Sequence, residues 1–145
     1  MSTQENHNLI QRVFDAYNRG DVPALQNLYS SDIVCHVGGM AEPVSGLAAN
    51  LEADAYMRQA FSDVYWEITD SFGEGDRVAV RRSWRMTHTG PFAGQPASGR
   101  TVSGTAIDIY RVQEGRVAEQ WTESDNLSFM RQLGALPAAE REPGL

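Results

Sequence analysis

The chain has 145 residues of ordinary apolar and charged content, which predicts one domain large enough for a core and a small-molecule pocket. Its net charge of −7 argues against nucleic acid or an anionic membrane as a partner. No apolar run approaches the ~18 residues of a membrane span, and the polar start predicts that no signal peptide is present. A single cysteine, Cys35, excludes an intrachain disulfide and predicts a cytoplasmic protein. All twelve basic residues are arginine, so no lysine is present to form a Schiff base, and carbon–carbon chemistry has to run by acid/base or metal catalysis.

Three helices and one strand are predicted in the first half of the chain. Residues 4–19 carry apolar side chains at helical spacing and stop at Gly20, a residue type that commonly ends helices. Asp21 and Pro23 are typical of a helix start, which predicts a second short helix through Leu28. The remaining segments are a strand over 32–37, a loop over 43–46 and a helix over 50–61 with Leu51, Tyr56 and Phe61 toward the core.

Four strands and a final short helix are predicted in the second half. Alternating apolar residues around a turn at Glu114 and Gly115 indicate a hairpin, and the strand before it has an apolar face interrupted by Arg82. The Gly- and Pro-rich loop over 89–99 has the composition of a pocket lid. The strands are predicted over 66–72, 77–88, 103–112 and 116–122, and the helix over 126–133.

This order of elements predicts an α+β fold. Because helices come first and the strands follow in meander order, the sheet is expected to be curved and mainly antiparallel, with the N-terminal helices packed over it. Such a sheet makes a cone-shaped barrel whose interior can hold a small molecule. We expect a single domain over residues 1–136 and a loose tail over 137–145.

Two aspartates are candidate catalytic residues. Asp125 follows the last strand, where apolar surroundings would raise its pKa toward the range of a general acid/base. The alternative is that Asp125 is only the N-cap of the last helix. Asp108 lies among apolar residues of a strand, where aspartate is rare. It is either a protonated partner of the base, an acceptor that orients His88, or a structural hydrogen-bonding residue.

Four further side chains have both a functional and a structural interpretation. His88 ends a strand beside the loop, so it either binds a carbonyl and shuttles protons or is held by backbone groups. Trp84 and Trp121 either stack on a planar substrate or fill the core. Arg82 either holds an enolate or carboxylate or forms an ion pair with a glutamate. The three histidines lack metal-ligand spacing, so no metal site is predicted.

The motifs of the second half resemble those of the SnoaL-like polyketide cyclase family. They are Thr-His-x-Gly at 87–90, Phe-x-Gly-x-Pro at 92–96, Ile-Asp-Ile-Tyr-Arg at 107–111, Glu-Gly-Arg at 114–116 and Gln-Leu-Gly at 132–134. The opening Phe-Asp-Ala-Tyr-Asn-Arg-Gly-Asp at 14–21 is similar to the first helix of the same superfamily. The resemblance spans residues 8–136. Asp108 departs from it, since cyclases of the nogalamycin type carry His there.

The resemblance implies a cofactor-free enzyme that closes a ring in an aromatic polyketide ester by intramolecular aldol condensation. It implies Asp125 as the general acid/base and a homo-oligomer, dimer or tetramer, packed through the outer sheet face. Beside the residues above, the candidate substrate-binding side chains are those of His36, Phe92 and Tyr17. Three alternatives stay open: a polyketide hydroxylase, a non-catalytic ligand-binding module, and a limonene-type epoxide hydrolase with an Asp–Arg–Asp cluster of Asp108, Arg82 and Asp125.

Overall fold

The computed structural model describes residues 2–137 as four helices and a six-stranded sheet. The helices are α1 (Thr3–Arg19), α2 (Val22–Leu28), α3 (Leu47–Ala60) and α4 (Asn126–Gln132). The strands are β1 (Tyr29–Val37), β2 (Val44–Ser45), β3 (Phe61–Glu74), β4 (Arg77–His88), β5 (Thr101–Gln113) and β6 (Arg116–Ser124). The predicted tail lies, apart from Pro137, outside the described residues. No helix in the described part is long and apolar enough to cross a bilayer.

The N-terminal helices begin and end where their capping residues predict. The Asp21 carboxylate accepts a hydrogen bond from Ala24 N at 3.1 Å at the start of α2. Gly20, with φ +65°, follows α1 in the left-handed conformation that glycine adopts without a side-chain penalty. The apolar face of α1, including Val13 and Phe14, is fully buried against the sheet.

The predicted α+β fold with a curved, mainly antiparallel sheet is confirmed. The strand order is β2-β1-β6-β5-β4-β3, and β3 to β6 form the expected meander. The sheet is curved but not closed, so β2 and β3 remain as its two edges. The sequence missed β2, and it gave no sign that β1 pairs with β6 in parallel. That pairing joins the two ends of the chain, and local patterns carry no information about such distant neighbours.

The boundary between α3 and β3 differs most from the prediction. The helix ends at Ala60 and β3 begins at Phe61, five residues earlier than predicted. Phe61 is buried as expected, but it is a strand residue. The expectation that Tyr56 faces the core is wrong, because 61% of it is exposed. The helix faces a cavity instead of a filled core, so its apolar pattern is weak and a poor guide to its ends.

Alternation along β4 separates the two faces of the sheet as predicted. Val78, Val80, Arg82, Trp84 and His88 are all buried on the inner face. The same alternation puts the even-numbered residues of β5 inside. This inner face, together with the helices that cover it, bounds the candidate site.

Candidate active site

A cavity of about 630 Å³ lies between the inner face of the sheet and the helices. Its walls are mostly apolar, and its volume is in the range of pockets for drug-sized ligands. The polar side chains along it are those of Tyr17, Tyr29, Cys35, Asn50, Asp54, Tyr56, Arg82, Gln120, Thr122, Ser124 and Asn126. The hollow interior that the sequence predicted is therefore present.

Arg82 is the cationic side chain of the cavity wall, and it is held from behind by Asp108. Arg82 Nε donates to Asp108 Oδ2 at 2.7 Å, and the Tyr110 hydroxyl donates to the same oxygen at 3.1 Å. Asp108 is fully buried, and its Oδ1 has no partner among the described residues. The Nη groups of Arg82 make no hydrogen bond to the described residues, so they are available to a ligand. The partner of Arg82 is an aspartate and not the glutamate that was expected.

Aromatic side chains fix the orientation of the guanidinium. Arg82 lies over the ring of Trp66 at 4.0 Å, and Tyr17 stacks on the same Trp66 ring with 3.6 Å between centroids. A guanidinium that is stacked and paired at once keeps one geometry. Trp84, Phe92 and Tyr17, all predicted as substrate-binding, line the cavity.

The indole of Trp84 lies directly over Gly104, its neighbour on β5. Gly104 pairs with Trp84 across the strands, and a Cβ at position 104 would come within 2.7 Å of Trp84 Cζ2. The missing side chain of Gly104 therefore leaves the room that the indole occupies.

Asp125 lies outside the apolar enclosure that the sequence analysis assumed. Its side chain is exposed, and it caps α4 by accepting a hydrogen bond from Ser128 N at 3.0 Å. Its neighbours Ser124 and Asn126 line the cavity, so Asp125 lies beside the cavity but not in its wall. The predicted enclosure is wrong, because the chain turns from β6 into α4 at this residue and the cap directs the carboxylate to the helix. Its catalytic role stays a prediction.

His88 is fully buried away from the cavity wall. Its Nδ1 accepts from Ser98 N at 3.3 Å and lies 3.0 Å from Ser98 Oγ, which places the ring proton on Nε2. Asp108 does not orient it, because Asp108 lies opposite Val80, near the other end of β4. Nor do Asp108, Arg82 and Asp125 form the three-residue cluster of the epoxide hydrolase alternative, since only the first two are paired.

Trp121 and His36 lie on the outer face of the sheet. Their rings stack at 5.3 Å between centroids, and His36 Nε2 lies 2.7 Å from Glu119 Oε2. The hydrogen bond to His36 holds the pKa of Glu119 below its usual range. Neither ring lines the cavity, so their predicted contact with a substrate inside it is wrong. The cause is the period of the strands, which points Gln120 and Thr122 inward instead.

The sequence analysis missed most of the polar residues of the cavity, among them two on β6 and two on α3. Gln120 and Thr122 share the inner face of β6 and are joined by a hydrogen bond of 2.9 Å. Asn50 and Asp54 are four residues apart on α3, which puts both on one side of the helix. Alternation along β6 and the spacing on α3 were signals that could have found them.

The Cys35 thiol and the hydroxyls of Tyr29 and Tyr110 are kept uncharged by burial, which raises their pKa values. Burial, and then the negative charge of Asp108, raise the pKa of the Cys35 thiol to about 11. Burial also raises the pKa values of Tyr29 and Tyr110 above the usual range. These hydroxyls are hydrogen-bond donors at neutral pH rather than bases.

Comparison with known proteins agrees with this architecture. Residues 7–133 match the model of the SnoaL-like polyketide cyclase family. The chain is 28% identical to the aklanonic acid methyl ester cyclase DnrD of Streptomyces peucetius over 92% of both chains. Among solved structures it resembles AclR of Streptomyces galilaeus, a candidate hydroxylase, with 28% identity, a TM-score of 0.84 and coverage of 97% of this chain and 87% of that one. It also resembles IdmH of Streptomyces antibioticus, a candidate polyketide cyclase, with 32% identity, a TM-score of 0.76 and coverage of 89% and 98%. The chain belongs to the SnoaL-like polyketide cyclase family.

Proposed function

We propose that the protein closes a ring in an aromatic polyketide ester by intramolecular aldol condensation, without a cofactor. The relative DnrD is an aklanonic acid methyl ester cyclase, and the substrate proposed here is likewise an ester. The observation that carries the proposal is the guanidinium of Arg82. It is buried in the wall of a large apolar cavity, and its Nη groups make no hydrogen bond to the residues that the structure describes. A site of this kind suits a flat, apolar molecule whose carbonyl oxygen becomes negative during the reaction.

In this proposal Arg82 stabilises the enolate. Removal of a proton from a carbon between two carbonyls puts negative charge on oxygen, and donors already aimed at that oxygen stabilise it without reorganisation. Asp108 is the positioning residue, because its bond to Nε fixes the plane of the guanidinium. The rings of Trp84 and Phe92 contact the flat faces of the substrate.

Substitution of Asp125 tests directly whether this residue transfers the proton. Asparagine caps helices as well as aspartate does, so Asp125→Asn keeps the start of α4 and removes only the carboxylate chemistry. Loss of turnover with an unchanged melting temperature supports the role predicted for Asp125. Normal turnover assigns proton transfer to another carboxylate.

The first experiment combines the purified protein with an aromatic polyketide methyl ester of the aklanonic acid type. We expect a product of unchanged mass with one more ring and a new hydroxyl group, because the closure stops at the aldol addition and loses no water. Arg82→Lys should lower kcat by ~10²- to 10³-fold, since lysine keeps the charge but loses the planar fork of donors. Arg81→Lys is the matched control, because Arg81 is the neighbouring residue on the exposed outer face. Binding of the ester without any ring closure contradicts the proposal.

The first experiment also tests epoxide hydrolysis, the alternative for which the Arg82–Asp108 pair is present but Asp125 does not complete an Asp–Arg–Asp cluster. That reaction adds the elements of water to the substrate. Oxygen-18 from labelled water in the product therefore supports hydrolysis, and its absence supports aldol closure.

We also propose a homo-oligomer formed through the outer face of the sheet, and a cytoplasmic location. Ile107 is 55% exposed and Ile109 is 37% exposed on this face, close to the Trp121 ring. Charged side chains lie around them, including the Arg111–Glu119 pair at 3.1 Å. An apolar centre with a polar margin is typical of protein interfaces. The location is inferred from the lone Cys35 and stays a prediction.

A further inference from the structure

The inner face of β6 carries a row of polar side chains in the mostly apolar cavity wall. Gln120, Thr122 and Ser124 are alternate residues of the strand, so they lie on the same face of the sheet, and all three line the cavity. Gln120 and Thr122 are each only 8% exposed. Because a buried polar group is costly unless it is hydrogen-bonded, the partners of these two side chains have to be accounted for.

The hydrogen bond between Gln120 and Thr122 uses only part of what the two side chains offer. Gln120 Nε2 donates to Thr122 Oγ1 at 2.9 Å. Thr122 lies opposite Asp108 on β5, but that carboxylate accepts from Arg82 and Tyr110 instead. The Thr122 hydroxyl proton and Gln120 Oε1 make no hydrogen bond to the residues that the structure describes. One donor and one acceptor of this Gln120–Thr122 pair are therefore available to a ligand in the cavity.

A hydroxyl group on the ligand has the chemistry that completes the pair. Its oxygen accepts from the Thr122 hydroxyl, and its proton is donated to Gln120 Oε1. The amide, the threonine and the ligand hydroxyl then form a closed ring of hydrogen bonds, in which each group donates once and accepts once. Bonds connected in this way strengthen one another in a low-dielectric wall. A ketone or ether oxygen only accepts, so it leaves the buried Gln120 Oε1 without a partner.

The position of the pair along β6 relates it to the reacting end of the site. Thr122 is three residues before Asp125, which is about 10 Å along an extended strand. Arg82 lies in the same row across the sheet as Ser124, since both residues pair with Ala106. A flat molecule that is anchored at the pair can therefore extend along β6 toward Arg82 and the junction of β6 and α4.

We propose that the Gln120–Thr122 pair binds a phenolic hydroxyl on a substrate ring remote from the carbons that join; the identity of the substrate rests on the proposed function. The pair makes no bond to a reacting atom and transfers no proton. It determines which polyketides are accepted and which end of the molecule lies near Arg82. A ring without this hydroxyl is bound more weakly and is also held less accurately, so its loss lowers kcat/KM.

The binding test uses two flat probes that differ in one hydroxyl group. They are anthraquinone and a hydroxyanthraquinone whose hydroxyl is not next to a carbonyl, so that it forms no internal hydrogen bond. Quenching of tryptophan fluorescence measures Kd, because Trp66 and Trp84 line the cavity. Wild-type protein should bind the hydroxy compound ~10- to 100-fold more tightly, since the other probe leaves buried polar groups unpaired. Thr122→Val and Gln120→Met, which keep the approximate size of the side chains, should each abolish this preference.

Two control variants separate the hydroxyl of Thr122 from its packing. Thr122→Ser keeps the hydroxyl and should keep the preference. Thr105→Val makes the same change as Thr122→Val at an exposed position of β5 and should bind both probes as wild-type protein does. Equal affinities of wild-type protein for the two probes overturn the assignment without the use of any variant. A preference that survives in both Thr122→Val and Gln120→Met overturns it as well.

Turnover separates this inference from the proposed function. The aromatic polyketide methyl ester is compared with an analogue in which hydrogen replaces the remote phenolic hydroxyl. We expect kcat/KM to be ~10- to 100-fold lower for the analogue. Ring closure with equal kcat/KM for both compounds contradicts the hydroxyl site alone. A hydroxyl preference in binding without any ring closure contradicts the proposed function alone.

Discussion

Cys35 is a residue whose behaviour follows from its place in the cavity wall. The thiolate is the form that reacts with alkylating reagents, and a pKa of about 11 leaves roughly a thousandth of the thiol ionised at pH 8. We expect slow alkylation by iodoacetamide at neutral pH and a rate that increases up to about pH 11. Mass spectrometry of the intact chain measures the rate, since Cys35 is its single thiol.

The same measurement reports on binding. A bound polyketide ester should slow alkylation further, because Cys35 lines the cavity and the ligand covers it. Alkylation that is already fast at pH 7, or that an occupying ligand leaves unchanged, contradicts this placement of the thiol.

At the scale of single residues, the sequence located polar groups better than it oriented them. Asp108 and Arg82 were predicted as unusual strand residues, and both are buried as a pair. Asp125 was correctly placed at the strand–helix junction, but its alternative role as N-cap decides where the carboxylate points. A shift of one residue in the inward–outward pattern of a strand moves Trp121 to the other face of the sheet. The sequence of one strand alone does not decide between the two patterns.

His88 connects the two ends of the loop that follows β4 by hydrogen bonds. Its Nδ1 accepts from Ser98 N, Gly99 N donates to His88 O at 2.8 Å, and His88 N donates to Arg100 O at 2.9 Å. These bonds join the two ends of the loop over 89–99. Phe92 extends from this loop to the cavity, so the loop position affects the wall.

We expect His88→Leu to lower stability by ~1 kcal/mol, the net worth of a typical hydrogen bond, because the part-buried N–H of Ser98 loses its acceptor. The loop should also become sensitive to limited proteolysis. Ser98→Ala is the matched control, since it keeps the N–H bond and removes only the hydroxyl. Equal protease resistance of His88→Leu and wild-type protein contradicts a role for His88 in holding the loop.

At the scale of elements, β4 to β6 were predictable, and the cavity helix and the start of β3 were not. β4 has the predicted bounds, and β5 and β6 extend one or two residues further, because apolar alternation and a Gly-containing turn mark them. α3 carries Asn50 and Asp54 toward the cavity, so its inner side is partly polar and its pattern is weak. A helix that borders a cavity lacks the continuous apolar stripe that marks a core helix.

The outer sheet face determines the expected assembly of the whole molecule. Ile107 lies at its centre, so Ile107→Arg should place a charge in the interface and shift a dimer or tetramer toward monomer. Leu127→Arg is the control, because Leu127 is 51% exposed but belongs to α4. Light scattering after gel filtration measures the mass. Wild-type protein that is monomeric at micromolar concentration contradicts the proposed interface.

The close contact between Gly104 and Trp84 has an evolutionary consequence. Every glycine codon is one base away from an alanine codon, and one added methyl at position 104 would lie 2.7 Å from Trp84 Cζ2, so the indole could not keep its position. Such a change alters the Trp84 side of the cavity without replacing a residue that lines it. The shape of this wall can therefore change by a single base substitution on the strand next to the tryptophan.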